Sequence, residues 1–192
     1  HKLKVVLGLT FFLLFSFSTL LSAQDNETCV ECHSDDTLEK TLADGTIKSM
    51  FVNDSLFKKS AHGDLECISC HTDLEGFEDF PHEENLNKVD CSTCHEDVNN
   101  DYMSSLHGKA LKGGNPRAPT CVSCHTSHNI LSEKDPNSTT HPRNLPNTCA
   151  ACHSQYTITT DPDVRIANSF VQYKEGVHGQ GIEKGVNIAA SC

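Results

Sequence analysis

The sequence predicts a mainly α-helical fold with extensive irregular loops and little β-structure, and three observations predict it. Ten of the 11 cysteines form five close pairs, whose first members lie 38, 24, 30 and 28 residues apart and leave no room for conventional layers between them. The chain has no tryptophan and only 6% aromatic residues. Short segments preceded by helix-capping residues alternate with polar loops. Side chains alone therefore make a thin core, and another group is expected to fill the interior.

The charge balance limits the kinds of partner. The 192 residues include 26 acidic and 15 basic side chains, a formal net charge of -11. Binding to nucleic acid through its phosphates needs a basic surface, so nucleic acid is excluded as a partner. The acidic surface instead favours a basic protein partner.

Residues 1–23 are predicted to be a signal peptide. Lys2 and Lys4 precede an almost wholly apolar run from Val5 to Leu21, and a polar stretch follows Ala23. A basic start, an apolar middle and a small residue before the cut are typical of secretion signals. The alternative is an uncleaved membrane anchor, because Val5 to Ala23 just reaches spanning length. Residues 24–192 are then expected to work in the periplasm or outside the cell, free or attached to the membrane.

Each pair of cysteines belongs to one motif, C-x-x-C-H. The five copies are Cys29-Val-Glu-Cys32-His33, Cys67-Ile-Ser-Cys70-His71, Cys91-Ser-Thr-Cys94-His95, Cys121-Val-Ser-Cys124-His125 and Cys149-Ala-Ala-Cys152-His153. This motif attaches c-type haem: two thiols form thioethers with one haem, and the histidine takes an axial position on its iron. A zinc site or a redox dithiol needs C-x-x-C but not the following histidine. Five haem c groups are therefore predicted.

Each iron has a second axial position, and histidine is the predicted ligand. Methionine is the alternative, but residues 24–192 contain only Met50 and Met103. Three histidines share a small-apolar-His-Gly context, namely His62, His107 and His178.

Each of these three histidines follows a predicted short helix. The predicted caps are Asn53-Asp54-Ser55, Asn100-Asp101 and Asp161-Pro162-Asp163. The glycine after each histidine is expected to be the left-handed residue that ends the helix. All three are predicted distal ligands, each held at a helix end.

Three further histidines stand in loops or beside an attachment site. His128 lies three residues after His125, so it cannot easily reach over the plane that His125 holds from below and is predicted to serve a neighbouring haem. His82 follows Pro81 in an extended segment and is also a predicted ligand. His141 precedes a proline in a polar loop, where a solvated histidine is expected.

The remaining local structure is expected to be loops and one hairpin. Leu42 to Ile47 contains Asp44-Gly45, a hairpin turn signal. Residues 113–119 and 135–146 are predicted loops. The polypeptide without haem is expected to be largely unfolded, because the cofactors replace a core.

Together these residues resemble the exported multihaem c-type cytochromes. The five C-x-x-C-H sites, the S-x-H-G histidines and the stretch from Cys121 to Ile130, a C-x-x-C-H-x-x-H-x-I pattern, carry the resemblance over nearly all of residues 29–192. It implies a fold packed around covalently bound haems, bis-histidine irons and electron relay through closely stacked haems. Some members are separate carriers, and others are parts of haem-rich reductases or are fused to membrane quinol-oxidising domains.

Electron transfer is the leading prediction, because two histidines fill both axial positions and leave no room for a substrate. An enzyme, a multihaem reductase of small nitrogen or sulfur oxyanions, is the alternative and needs one iron with an open position. A third reading is an electron donor anchored by Val5 to Ala23 and linked to a membrane quinol-oxidising complex. Redox proteins are the expected partners in every case.

The eleventh cysteine, Cys192, is predicted to open a sixth C-x-x-C-H motif. The interval from His107 to Cys121 and the interval from His178 to Cys192 are both 14 residues and share glycines and apolar positions. In the first copy the cysteine opens a haem site. The chain is therefore expected to be a fragment, with a free or disulfide-linked thiol as the alternative.

Overall fold

The structure, a computed structural model, describes residues 25–154, 169–186 and 189. Eight helices lie in these ranges: α1 (Asn26–His33), α2 (Asp54–Phe57), α3 (Glu96–Ser104), α4 (Leu106–Lys112), α5 (Cys121–His125), α6 (Leu145–His153), α7 (Ser169–Glu175) and α8 (Val177–Glu183). Short 3-10 turns cover Cys67–Ser69, Thr72–Leu74 and Cys91–Thr93. Two strands, β1 (Glu39–Thr41) and β2 (Ile47–Ser49), form one antiparallel hairpin. The prediction of a mainly α fold with irregular loops and little β-structure is confirmed.

Helix starts are fixed by local side-chain caps. Asp25 accepts a hydrogen bond from the Glu27 backbone N–H at 3.0 Å and begins α1. Asn53 does the same for α2 through the N–H of Leu56 at 3.0 Å. Such caps satisfy donors that the first helical turn leaves free. The predicted cap at Asn53 is thus confirmed.

The hairpin turns at Asp44 and Gly45, as predicted. Gly45 has a φ of +82°, which glycine adopts without strain. Asp44 accepts a hydrogen bond from the Thr46 N–H at 2.9 Å. Glu39 faces Ser49 and Lys40 faces Lys48 across the two strands. The hairpin therefore presents two lysines side by side, and Lys40 reaches the segment that follows His82.

The described residues contain very little apolar core. Only Leu74, Ala150 and Ile182 are buried hydrophobic residues among them. Large apolar side chains such as Leu106 and Val177 are more than four-fifths exposed. Ordinary domains of this size bury far more. Such a thin core fits the expectation that a bound group fills the interior.

The helices α3 and α4 form a pair, and so do α7 and α8. In each pair a glycine of the second helix lies very close to the backbone of the first. A Cβ on Gly108 would lie 2.2 Å from the Tyr102 carbonyl oxygen, and one on Gly179 would lie 2.3 Å from that of Tyr173. Both glycines sit inside the second helix of a pair. The expectation that these glycines end a helix in a left-handed conformation is wrong. Glycine is needed at both positions because the backbone of the preceding helix leaves no space for a Cβ.

The same arrangement corrects the placement of the histidines. His107 and His178 stand near the start of α4 and α8, not at the end of the preceding helix. Asn100 and Asp101 lie inside α3, which begins at Glu96 after His95, so they are not its cap. Ser105 caps α4 by accepting from the Gly108 N–H at 3.1 Å.

The segment 135–146 also differs in part from its prediction. Residues 135–144 form turns, but Leu145 and Pro146 already belong to α6, whose first turn accommodates a proline. His141 is buried, only 8% exposed, so the expectation of a solvated side chain is wrong. Its Nδ1 accepts a hydrogen bond from the Arg143 backbone N–H at 3.2 Å.

Several sequence predictions fall on residues outside the described ranges. These are the signal peptide or anchor at 1–23, the cap at Asp161-Pro162-Asp163 and the sixth motif at Cys192. Among the helices that the structure describes, none combines the length and apolar character needed to cross a bilayer.

Replacing Gly108 by alanine tests the close backbone contact. The new methyl group would overlap the Tyr102 carbonyl, so α4 must shift, and we expect Gly108→Ala to lower the free energy of unfolding by about 1–3 kcal/mol. Gly113→Ala is the matched control, because its Cβ meets nothing closer than 3.3 Å and its φ is -75°. Thermal unfolding of the haem-loaded protein measures both. Equal transition temperatures for the two variants would contradict the contact.

Candidate cofactor-binding sites

The five C-x-x-C-H motifs lie on single helical turns. We number them sites 1 to 5 in chain order, from His33 to His153. At site 2 the His71 N–H donates to the Cys67 carbonyl at 3.0 Å, and at site 3 the His95 N–H donates to that of Cys91 at 3.0 Å. This one-turn bond brings both sulfurs and the histidine of a motif to the same turn. The local sequence thus builds the attachment geometry without help from distant residues.

Four of the motif histidines face a second histidine from elsewhere in the chain. The distances between ring centres are 6.1 Å for His33 and His82, 6.2 Å for His71 and His128, 5.9 Å for His95 and His62, and 5.9 Å for His153 and His107. These are the pairs of sites 1, 2, 3 and 5.

The composition of the pairs is informative. Ordinary aromatic contacts also fall at such distances. Yet each pair joins one motif histidine to one histidine outside the motifs, and the four outside histidines are all among the predicted distal ligands. Chance contacts between rings would not consistently pair a motif histidine with a histidine outside the motifs. The angles between ring planes range from 10° to 66°, so no common stacking geometry explains the pairs either.

The separation fits an iron between the two rings. A histidine nitrogen lies about 2.0 Å from its metal, and adding about 1 Å from each nitrogen to its ring centre predicts about 6 Å between the two centres. The observed range of 5.9 to 6.2 Å agrees. Within the described ranges, no three His, Cys, Asp or Glu side chains converge on a point, as a metal site made of protein alone would require. At each of these four sites the chain thus offers two imidazoles and leaves the other ligands to a macrocycle.

Site 1 fixes the tautomer of both of its rings. His33 Nδ1 lies 2.7 Å from the Met50 carbonyl oxygen, and His82 Nδ1 lies 2.7 Å from that of Glu83. A carbonyl can only accept, so both Nδ1 atoms carry the proton and donate it. Each Nε2 then keeps its lone pair, which a metal requires.

Burial favours the neutral form of three further rings, those of His71, His128 and His107. The pKa of His71 is lowered, chiefly by burial, and the pKa of His128 is lowered for the same reason. Burial, with a smaller contribution from His153, also lowers the pKa of His107. A lowered histidine pKa favours the neutral ring at pH 7, and only a neutral ring can bind iron.

Cysteine neighbours show that consecutive sites lie side by side. The Cys67 thiol of site 2 shares a hydrogen bond with Cys29 of site 1, and burial together with this neighbour raises the pKa of Cys67 to about 12. At site 3 the pKa of Cys91 is raised by burial and then by Cys121 of site 4, with a smaller influence from Cys70 of site 2.

Sites 4 and 5 continue the series. The pKa of Cys124 is raised by burial and then by the charge of Cys152 at site 5. Each neighbouring pair of sites, from the first to the fifth, thus brings at least one sulfur of each motif close to the other.

Hydrogen bonds between segments hold neighbouring sites together. The side chain of Asn26, in the site 1 helix, accepts from the Cys67 N–H at 2.7 Å and donates to the Leu65 carbonyl at 3.0 Å. The Ala61 N–H donates to the Ile130 carbonyl at 2.7 Å, which ties the segment of His62 to that of His128.

Thr139 connects site 4 to the helix of site 5 through two hydrogen bonds. Its hydroxyl donates to the Cys124 carbonyl, and its own carbonyl accepts from the Thr148 hydroxyl at 2.6 Å. The loop that contains buried His141 therefore spans from site 4 to α6.

Site 4 differs from the others. Within the described ranges, no ring faces His125, although all other motif histidines have a partner there. The next residue, Thr126, has a φ of 66°, which a β-branched residue adopts only under strain. Among the residues that the structure describes, the other histidines outside the four pairs are His141 and His178, and neither ring is brought against His125.

Sequence reasoning supplied the members of these pairs but not the pairing. No motif offers a signal that assigns His82 to site 1 or His128 to site 2. The structure shows one regularity in the S-x-H-G histidines. His62 and His107 each skip the motif that follows in the sequence and face the histidine of the motif after it, His95 and His153 respectively. His178 stays a predicted ligand without a facing ring in the described ranges.

A loosely packed helical chain whose C-x-x-C-H histidines face second histidines has the features of a c-type cytochrome. A family model for the class III cytochrome c family matches residues 40–168, about two thirds of the chain. The protein belongs to that family. No curated protein and no solved structure matches the chain.

Family membership gives the chemistry of the sites. The chain carries covalently bound haem c, and its function is haem-based electron transfer. The resemblance to c-type cytochromes is confirmed at this level, while the site residues and the count of five stay predictions.

Lys40 provides a test of the site 1 geometry. Its ammonium donates to the Glu84 carbonyl and, at 2.8 Å, to Asn85 Oδ1, and so holds the segment of His82 against the hairpin. We expect Lys40→Met to loosen His82 and to increase cyanide binding at one haem by roughly fivefold, corresponding to about 1 kcal/mol for a partly exposed hydrogen-bonded cation.

Lys48→Met is the matched control, since Lys48 faces Lys40 across the hairpin and the charge change is identical. Cyanide titration followed by absorbance measures both variants. If the two variants bind cyanide alike, Lys40 does not hold the His82 segment.

Proposed function

We propose that this protein relays electrons outside the cytoplasm through five covalently attached haems, most of them bound by two histidines. The observation that carries the proposal is the set of four imidazole pairs, each with ring centres about 6 Å apart and each made of one motif and one outside histidine.

In this proposal each part of the chain has one task. The ten motif cysteines hold the macrocycles by thioethers, and His33, His71, His95, His125 and His153 supply the proximal nitrogens. Haem supplies a one-electron iron couple when bound. His82, His128, His62 and His107 close the other axial position at sites 1, 2, 3 and 5, so no substrate gains access there.

The neighbouring sulfurs support a continuous path. Four pairs of neighbouring sulfurs join the five sites in series: Cys29 with Cys67, Cys70 with Cys91, Cys91 with Cys121, and Cys124 with Cys152. Transfer between redox groups weakens steeply with distance, so this proximity favours transfer between consecutive sites. The formal charge of -11 favours a basic redox partner at the surface. Export and a link to a membrane quinol-oxidising complex belong to the same proposal and rest on the N-terminal residues 1–23.

The count and ligation of the haems are tested together. We expect the intact mass of denatured protein spanning residues 24–192 to exceed the polypeptide by five haem units, because thioethers survive denaturation. Electron paramagnetic resonance should show mainly low-spin ferric iron. A smaller mass increment or a dominant high-spin signal would overturn the proposal.

The pairing is tested by replacing one distal histidine at a time. His107→Met should raise the potential of a single haem and leave all haems attached, since methionine raises the potential of a haem it ligates. His141→Met is the matched control, because His141 belongs to no pair in the described ranges. Redox titration followed by absorbance distinguishes them, and a His107→Met titration identical to the wild type would refute the pair with His153.

A second candidate function, reduction of a small nitrogen or sulfur oxyanion, is favoured by site 4. His125 faces no ring in the described ranges, and Thr126 beside it has a strained φ of 66°. Strained residues cluster at functional sites. In this alternative the distal side of site 4 accepts an exogenous ligand.

Carbon monoxide tests this alternative. If site 4 is open, the reduced protein should bind about one equivalent per chain, and the double replacement Cys121→Ala with Cys124→Ala should lose both one haem and this binding. The control is Cys149→Ala with Cys152→Ala, which should lose one haem and keep the binding. Absence of carbon monoxide binding in the parent protein rules out the reductase reading.

A further inference from the structure

The two rings of site 1 differ from the motif ring of site 2 in the hydrogen bonding of their Nδ1 atoms. At site 1 both Nδ1–H groups donate to backbone carbonyls, His33 to Met50 and His82 to Glu83, each at 2.7 Å. At site 2 the Nδ1 of His71 is buried and has no hydrogen-bond partner. The same is true of His153 at site 5.

This contrast changes the electron density at the metal. An imidazole that donates its Nδ1–H to a carbonyl becomes a more basic ligand. More basic axial ligands stabilise ferric over ferrous iron, and hydrogen bonding around the ligands is one of the means by which a protein adjusts a haem potential. Two such bonds act on site 1, while a buried, unpartnered Nδ1–H leaves His71 a weaker donor.

Fixed charges near site 2 oppose each other. The Asp73 carboxylate lies near His71, and the Lys48 ammonium lies near His128. A carboxylate favours ferric iron and an ammonium favours ferrous iron, so the two groups act in opposite directions. The inference below therefore rests on the difference in Nδ1 hydrogen bonding.

We propose that site 1 is the low-potential end of the pair formed by sites 1 and 2, so that electrons enter at site 1 and pass to site 2. With haem held by His33 and His82 at site 1 and by His71 and His128 at site 2, one electron would pass from the first site to the second, and no proton or further reactant would take part. The external one-electron donor therefore engages the site 1 end. The inference rests on the bis-histidine ligation proposed above.

Replacing a distal ligand shows which component of a redox titration belongs to site 1 and which belongs to site 2. His82→Met should displace the wild-type component of site 1 and His128→Met that of site 2, and both proteins keep their thioethers. We expect the component displaced by His82→Met to have the lower wild-type potential. His62→Met, which acts on site 3, serves as the control that each replacement moves a different component.

A second pair of variants tests the cause. The Val52 N–H donates to the His33 carbonyl at 2.7 Å and holds the Met50 segment beside the His33 ring. Val52→Pro removes that donor, so the bond from His33 to Met50 should weaken and the site 1 potential should rise, with the haems still low-spin. Val52→Ala keeps the N–H and should leave the potential unchanged.

The outcomes distinguish an error in the proposed ligation from an error in the proposed order of the two potentials. If His82→Met and His128→Met displace no component, the proposed ligation is wrong and this inference falls with it. If both displace components but that of site 1 lies equal to or above that of site 2, the ligation stands and the inference alone is overturned. An unchanged site 1 potential in folded Val52→Pro protein overturns the assigned cause.

Discussion

The proposed ligation makes the whole arrangement depend on one short, fixed distance, that between two imidazoles across an iron. Two imidazoles that share a metal must keep their ring centres about 6 Å apart, whatever segments carry them. Four pairs meet this requirement, and their distal members come from a loop, a turn and a helix start. Because each pair joins parts of the chain 33 to 57 residues apart, these distances take the place of the packed core that the described residues lack.

That constraint also explains why backbone contacts are so close. Gly108 and Gly179 let one helix cross directly over the preceding one, and each crossing follows the start of a helix that carries a histidine. A side chain at either glycine would move the following helix and its imidazole together. Stability and ligand position are therefore set by the same few atoms.

Much of the site could be predicted from the sequence, because C-x-x-C-H is a local pattern completed within one helical turn. The hairpin at Asp44-Gly45 and the cap at Asn53 are local as well, and both were predictable. The pairing of His33 with His82 was not, since it depends on how segments 49 residues apart meet around a cofactor. His141 and Gly108 were misread for a related reason: burial and backbone crossing are tertiary facts that composition and helix signals do not contain.

The direction in which the pairs reach along the chain bears on biogenesis. His82 completes site 1 from downstream, and His128 completes site 2 from downstream too, whereas His62 precedes the site it completes. Synthesis runs from the N-terminus, so Cys29 and Cys32 are made well before His82, and Cys67 and Cys70 are made well before His128. Under the proposed ligation, the first two irons would wait with only one protein ligand, while the third would find its distal histidine already made. The order in which the chain is made would then set the order in which the proposed axial pairs close.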